Sequence, residues 1–186
     1  MNEKVNELIR HAVNLILQKD NFAIKAKQNA PRPVHAYATV DLVSEAPNGQ
    51  PDSEITKSIS GRSVIENTFL RSFVISLVFY KRRAMENARK THMGMFRESV
   101  QSMLSAGGLG LVRLTDILHL PEPINATWEN RAQFDIHLSS VMSDSETVNS
   151  IISASIDGEY QGTGEPISMH IEGGYDGYSS VKRGKC

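Results

Sequence analysis

Six histidines, His11, His35, His92, His119, His137 and His170, could in principle hold a metal or shuttle protons. None forms an HExxH motif or another close pair, so no two are spaced to share a metal ion. His170-Ile171-Glu172 has the HxE half of the zinc-deaminase signature. The PCxxC half needs two cysteines, and the chain has one, Cys186 at its last position. Ser and His occur without a GxSxG elbow, and a terminal Cys186 has no base held against it, so neither nucleophile is activated. Ser105 to Val112, SAGGLGLV, has the glycines of a phosphate loop. It follows a helical pattern instead of a strand and lacks the Lys-Ser or Lys-Thr that grips phosphate, so it reads as a helix stop and a turn. Glu129 and Asp135 fall on the polar face of an alternating strand, where charge is expected in any case. If a site were assembled from scattered residues, His92, Glu129, Arg131 and Asp135 would be its members. Lys81-Arg82-Arg83 is the compact basic run. It is read as a solvated strand end, or, in a ring, as a channel lining that meets DNA phosphates without sequence preference. The sequence thus offers no catalytic, cofactor-binding or metal-binding residues and predicts a protein that is not an enzyme.

The bulk numbers point the same way. The 186 residues fit one domain with an appended arm. Twenty basic and 21 acidic residues leave a formal charge of -1, so no global field selects a nucleic acid or a membrane. A single cysteine excludes an internal disulfide framework and suits a reducing cytoplasm. Glu3, Lys4, Glu7, Arg10 and His11 interrupt the first apolar stretch, unlike a signal peptide. No run approaches the ~20 apolar residues of a membrane helix.

Positioning elements follow from periodicity. Val5, Leu8, Ile9, Ala12, Val13 and Ile16 make one stripe of a helix over Asn2 to Lys19. Asp20 to Pro33 reads as a linker in which Pro31 and Pro33 fix φ and extend the chain. A strand follows, with Ala36, Ala38, Val40 and Leu42 alternating against His35, Tyr37, Thr39 and Asp41. Pro47 to Asp52 is a loop. A long strand from Asn67 to Lys81 turns Phe69, Phe73, Ile75, Leu77 and Phe79 to one face and Leu70, Val74, Val78 and Tyr80 to the other, so it is central or covered by a neighbouring subunit. Helical spacing predicts one helix from Arg83 to Leu104, stopped at Gly107-Gly108. Ala126 to Ser139 predicts a strand whose core face is Trp128, Ala132, Phe134, Ile136 and Leu138. Ser150 to Glu159 is a last strand, or a helix opening at Ser145. Beyond Tyr160 the chain is rich in Gly and Ser and poor in core residues, and reads as an arm. The fold class is α+β: a mixed, largely antiparallel sheet packed with two helices, with an extended C-terminal arm. The expected division is a domain over 1–159 and a flexible arm over 160–186.

Two blocks carry a resemblance. Gln28, Ala30, Pro31, Pro33, Tyr37, Ala38, Thr39 and Val40, in QNAPRPVHAYATV, and Trp128, Glu129, Arg131, Ala132, Phe134, Asp135 and Ile136, in WENRAQFDI, resemble the corresponding blocks of neck and tail terminator proteins of tailed bacteriophages. The resemblance covers about Asn2 to Glu159. It departs at Trp128, where such proteins more often have tyrosine, and in the longer arm. It implies a tail-terminator-like α+β subunit without catalytic residues, cofactors or metals. It further implies a homohexameric ring that caps the tail tube and joins it to the head connector, in a virion assembled in the host cytoplasm. Its implied partners are its own copies, the connector or adaptor protein, the tail tube and the sheath, with genomic DNA passing the lumen and no membrane. On this reading Pro31, Arg32, Pro33 and Tyr37, with Tyr160, Tyr175 and Tyr178 of the arm, are contacts to a neighbour or partner, and Lys81, Arg82 and Arg83 face the lumen. The alternatives are another tail-tube or connector adaptor subunit, or a small enzyme built on the scattered residues above.

Overall fold

The computed structural model describes residues 2–59, 62–124, 127–149, 153–159, 166–172 and 180–183. The chain divides into two compact units, one of residues 1–50 and 69–142, the other of residues 51–68 and 143–186.

The first unit begins with helix α1, Asn2–Leu17. Its stripe of Val5, Ile9, Ala12, Val13 and Ile16 is buried as the spacing predicts. The expected linker contains a short strand, β1, Ala23–Lys25, pairing parallel with β2, Tyr37–Pro47. Three residues are too few for a period to show, and Phe22 and Ala23 are buried while Ile24 is only half so. Asn14 Oδ1 accepts from the Ala23 amide at 2.9 Å, tying β1 to α1. Strand β4, Arg62–Tyr80, contributes its second half to this unit, antiparallel to β2 and flanked on its other side by β9, Arg131–Asn149. Phe73, Ile75, Leu77 and Phe79 are fully buried, whereas Phe69, expected on the same face, is only partly so; on the opposite face Val74, Val78 and Tyr80 are partly covered and Leu70 is exposed. This is the central strand that its two-sided pattern predicts.

The single predicted helix is two, α2, Ala84–Gly94, and α3, Glu98–Ala106. Side-chain spacing alone cannot report the break, because Met95 and Val100 are both buried and keep the stripe continuous. Gln101 Nε2 donates to the Met95 carbonyl at 2.6 Å and so holds the corner. Gly107 and Gly108 end α3, Gly108 at φ 79°, where glycine is the least strained residue. Strand β5, Gly110–Leu114, pairs antiparallel with β9, and β6, Leu118–His119, pairs with β9 nearer its start.

Ala132, Phe134, Ile136 and Leu138 of β9 face the core as expected. Trp128 does not: it is 72% exposed. The predicted strand is interrupted at Asn130, and Trp128 belongs to a separate hairpin of β7, Glu122–Ile124, and β8, Thr127–Glu129, where it pairs with Pro123. A break in the ladder releases the parity that would have turned it inward.

The second unit contains β3, Asp52–Ile59, antiparallel to the first half of β4. The segment around Ser145, an alternative helix start in the sequence, is strand, since β9 runs on to Asn149. A three-stranded antiparallel sheet joins β10, Ser153–Glu159, β11, Pro166–Glu172, and β12, Ser180–Arg183.

Candidate functional site

Candidate residues from both resemblance blocks meet where β2 starts, β4 ends and β9 begins. Tyr37 is the first residue of β2 and pairs in register with Tyr80, the last of β4. Their rings stack with centroids 4.6 Å apart and planes 9° off parallel, an arrangement worth about 0.5–1.5 kcal/mol beyond area burial. The proline-flanked Arg32 reaches back to this pair. Its Nε donates to the Tyr37 hydroxyl at 3.2 Å, its Nη2 donates to Glu129 Oε1 at 2.7 Å, and its Cζ stands 5.7 Å from the Tyr80 ring centroid. The hydrogen bond to Tyr37 raises the Arg32 pKa above its ordinary value; desolvation opposes this and Glu129 adds to it.

Arg131 completes the group. Its Cζ lies 5.0 Å from the Tyr80 centroid, its Nη1 forms an ion pair with Glu122 Oε2, and its Nε lies 3.5 Å from Glu129 Oε1, close enough for charge attraction but not aligned as a hydrogen bond. Glu129 therefore sits between two guanidinium groups with its side chain only 14% exposed. The expectation that it lies on a solvated strand face is corrected: it ends the β7–β8 hairpin, just before the break at Asn130. Lys81 closes the other side, donating through Nζ to the carbonyls of Pro33 and, at 2.9 Å, Val34. Its backbone amide donates to the Asn130 carbonyl at 2.9 Å. The prolines fix the lead-in's φ angles, and Arg32 and Lys81 fasten it to the sheet. The result is a clasp in which Arg32, Glu129, Arg131 and Glu122 already serve one another, leaving few groups free for chemistry.

The basic run occupies the turn from β4 into α2. Lys81 and Arg83 adopt left-handed backbone, φ 67° and 63°, which costs a non-glycine residue on the order of 1 kcal/mol. Arg83 precedes α2 without any side-chain cap. With Lys19, Val34, His35, Ala36, Arg82 and Asn87, Lys81 and Arg83 line a cleft of about 430 Å³. Arg32, Pro33 and Tyr37 thus come together with Lys81, and Pro31 adjoins them only as the residue before Arg32. Tyr160, Tyr175 and Tyr178 lie outside the described residues.

The scattered alternative divides into two groups. Glu129 and Arg131 belong to the clasp. His92 lies against Phe134, with ring centroids 5.2 Å apart, and its Nε2 is 3.2 Å from the Thr115 carbonyl; the Thr115 hydroxyl in turn accepts from the Asp135 amide at 2.8 Å. Among the described residues no three His, Cys, Asp or Glu side chains gather where they could hold a metal, and no helix is long and apolar enough to cross a membrane. Sequence reasoning missed Tyr80 and Glu122 as clasp members, and Lys19 and Asn87 as cleft walls. The Tyr37–Tyr80 pairing becomes visible only once the β2–β4 register is fixed.

Against known families, residues 3–163 match that of the phage neck terminator protein. No curated protein matches the chain.

Proposed function

The chain belongs to the phage neck terminator protein family, and from that premise we propose that it forms a homohexameric ring ending the tail tube and joining it to the head connector. Its part in the phage is structural, in completing the tail. The family match over residues 3–163 is the observation that carries the reading. Two features support it. The clasp fastens the lead-in at the start of β2, giving a rigid frame of the kind a ring subunit must present in every copy. Large apolar side chains stand exposed on the first unit, among them Trp128 at 72%, Leu118 at 52% and Leu120 at 47%, and a subunit interface would cover them.

In the assembled particle the ring meets its own copies, the connector or adaptor protein, the tail tube and the sheath. Genomic DNA passes the lumen, where Lys81, Arg82 and Arg83 face it, and assembly takes place in the host cytoplasm. The segment 160–186 serves as an arm that engages a neighbour or partner through Tyr160, Tyr175 and Tyr178. Symmetric reconstruction of the particle neck, with native mass measurement of the purified chain alone and with tails, tests this. A sixfold ring of this chain at the head-proximal end of the tube is expected. A monomer, or a ring of another order at that position, overturns the reading.

A further inference from the structure

We propose that the cleft between the proline lead-in and α2 is a phosphate-binding site. Lys19, Lys81, Arg82 and Arg83 bring four cations to its walls. Three have other contacts: Lys19 lies over the Phe22 ring, Lys81 holds the lead-in carbonyls, and Arg83 Nε is 3.6 Å from Glu86 Oε2. Arg82 has no partner among the described residues and is exposed. Glu86, the carboxylate in the first turn of α2, engages Lys90 at 2.9 Å.

Asn87 is the second and independent observation. Only 5% of this residue is exposed, it lines the cleft, and its side-chain amide makes no hydrogen bond among the described residues. Its amide opens to the cleft with its N–H groups free to donate, and an oxyanion there would accept from them. The left-handed residue Arg83 starts α2 with no side-chain cap; the Ala84 amide donates to the Lys81 carbonyl at 3.2 Å, and the remaining amide dipoles of the first turn add to the wall that Arg83 and Asn87 form.

A phosphate fits this chemistry better than a carboxylate. Cations and an amide on several walls can serve three or four oxygens, whereas a carboxylate presents two. The lining has no Phe, Tyr or Trp, and His35 is its one ring able to stack on a base, so a nucleic acid would be held chiefly by its backbone. The proposal deepens the reading of Lys81, Arg82 and Arg83 as a DNA-facing turn and rests on it only for the choice of DNA as a source; the cleft itself is complete within one chain.

The test uses the full chain, 15N-labelled and titrated with inorganic phosphate at constant ionic strength, with chloride as control. A fluorescent single-stranded 12-mer of thymidine and an acidic peptide of equal charge form parallel arms. Shifts at the Asn87 side-chain amide and around Arg82 are expected with phosphate. Arg82→Gln and Asn87→Asp should each weaken phosphate about tenfold or more, the loss of one charge-assisted hydrogen bond. Arg89→Gln, an exposed cation outside the cleft, should change nothing. Equal losses in the 12-mer arm identify the DNA backbone as the source; losses confined to inorganic phosphate identify a free phosphate. Unchanged phosphate binding in Arg82→Gln, a variant of an exposed residue that should fold normally, overturns the proposal, as does preference for the peptide. Ring order is measured separately, so a phosphate site without a sixfold ring, or the reverse, tells the two readings apart.

Discussion

Gly94 ends α2 where an added Cβ would come within 2.4 Å of Ile16 Cγ2 and 2.9 Å of its Cγ1. Because Ile16 is itself nearly buried, it has little room to retreat. Gly94→Ala should therefore destabilise by about 1–3 kcal/mol, the usual cost of overpacking, and it should cost less in an Ile16→Ala background, where both γ carbons that would meet the new Cβ are gone. Urea midpoints of the four chains in this cycle check it, and an additive double variant would place the strain elsewhere. Glu129 gives a second prediction at this scale. Its removal leaves Arg32 and Arg131 facing each other across the clasp without their shared acceptor, so Glu129→Ala should cost about 1–3 kcal/mol. Glu7→Ala, which breaks the exposed pair with Arg10 at 3.7 Å, should stay within about 0.5 kcal/mol. Equal losses in chemical denaturation would mean the clasp adds nothing to stability. Glu129, Arg131 and Arg32 were all visible in the sequence as residues of interest. Their partnership was not, because 97 residues separate Arg32 from Glu129 and no local pattern reports such a contact.

Periodicity read the elements well wherever a long stretch kept one environment. The α1 stripe and the inward faces of β4 and β9 are buried as spacing predicts, since a helix or strand with one wet and one dry side must repeat at its own period. Periodicity failed where the environment continued through a change of backbone. The α2–α3 corner keeps Met95 and Val100 buried on either side, and the break at Asn130 leaves Trp128 and Ala132 on the same parity but in different surroundings. The β9 register yields a prediction that separates the two faces. Phe134→Ala removes a ring stacked on Phe79 at 6.0 Å and should cost about 3–5 kcal/mol. Gln133→Ala loses a 2.9 Å hydrogen bond to Ser76 Oγ and should cost about 0.5–1.5 kcal/mol. Thermal melts in the reverse order would require β9 to be shifted by one residue.

At the scale of the whole molecule, the hydrophobic core that runs from Val5 to Leu138 belongs to the first of the two compact units. The first unit's stability should therefore be indifferent to the end of the chain. The last segment is harder to read in the sequence because Gly-rich spacers between short strands leave no period long enough to count. Pro166–Glu172 and Ser180–Arg183 nonetheless pair as β11 and β12, and β11 in turn pairs with β10 along seven residues. Removing 161–186 leaves β10 without this partner and with an open edge, and open edges pair with other chains. The truncated protein should keep the main melting transition of the full chain within a few degrees, because it retains the Val5 to Leu138 core of the first unit. It should aggregate sooner at the same concentration, as light scattering would register. In a phage lacking this gene and complemented with the truncation, joined particles counted by electron microscopy should fall well below those with the full chain. A large drop in the main transition would make the segment part of the principal fold. Joining at the full-chain level would remove it from the head-to-tail contact, leaving the first unit and its clasped lead-in to make that contact without the arm.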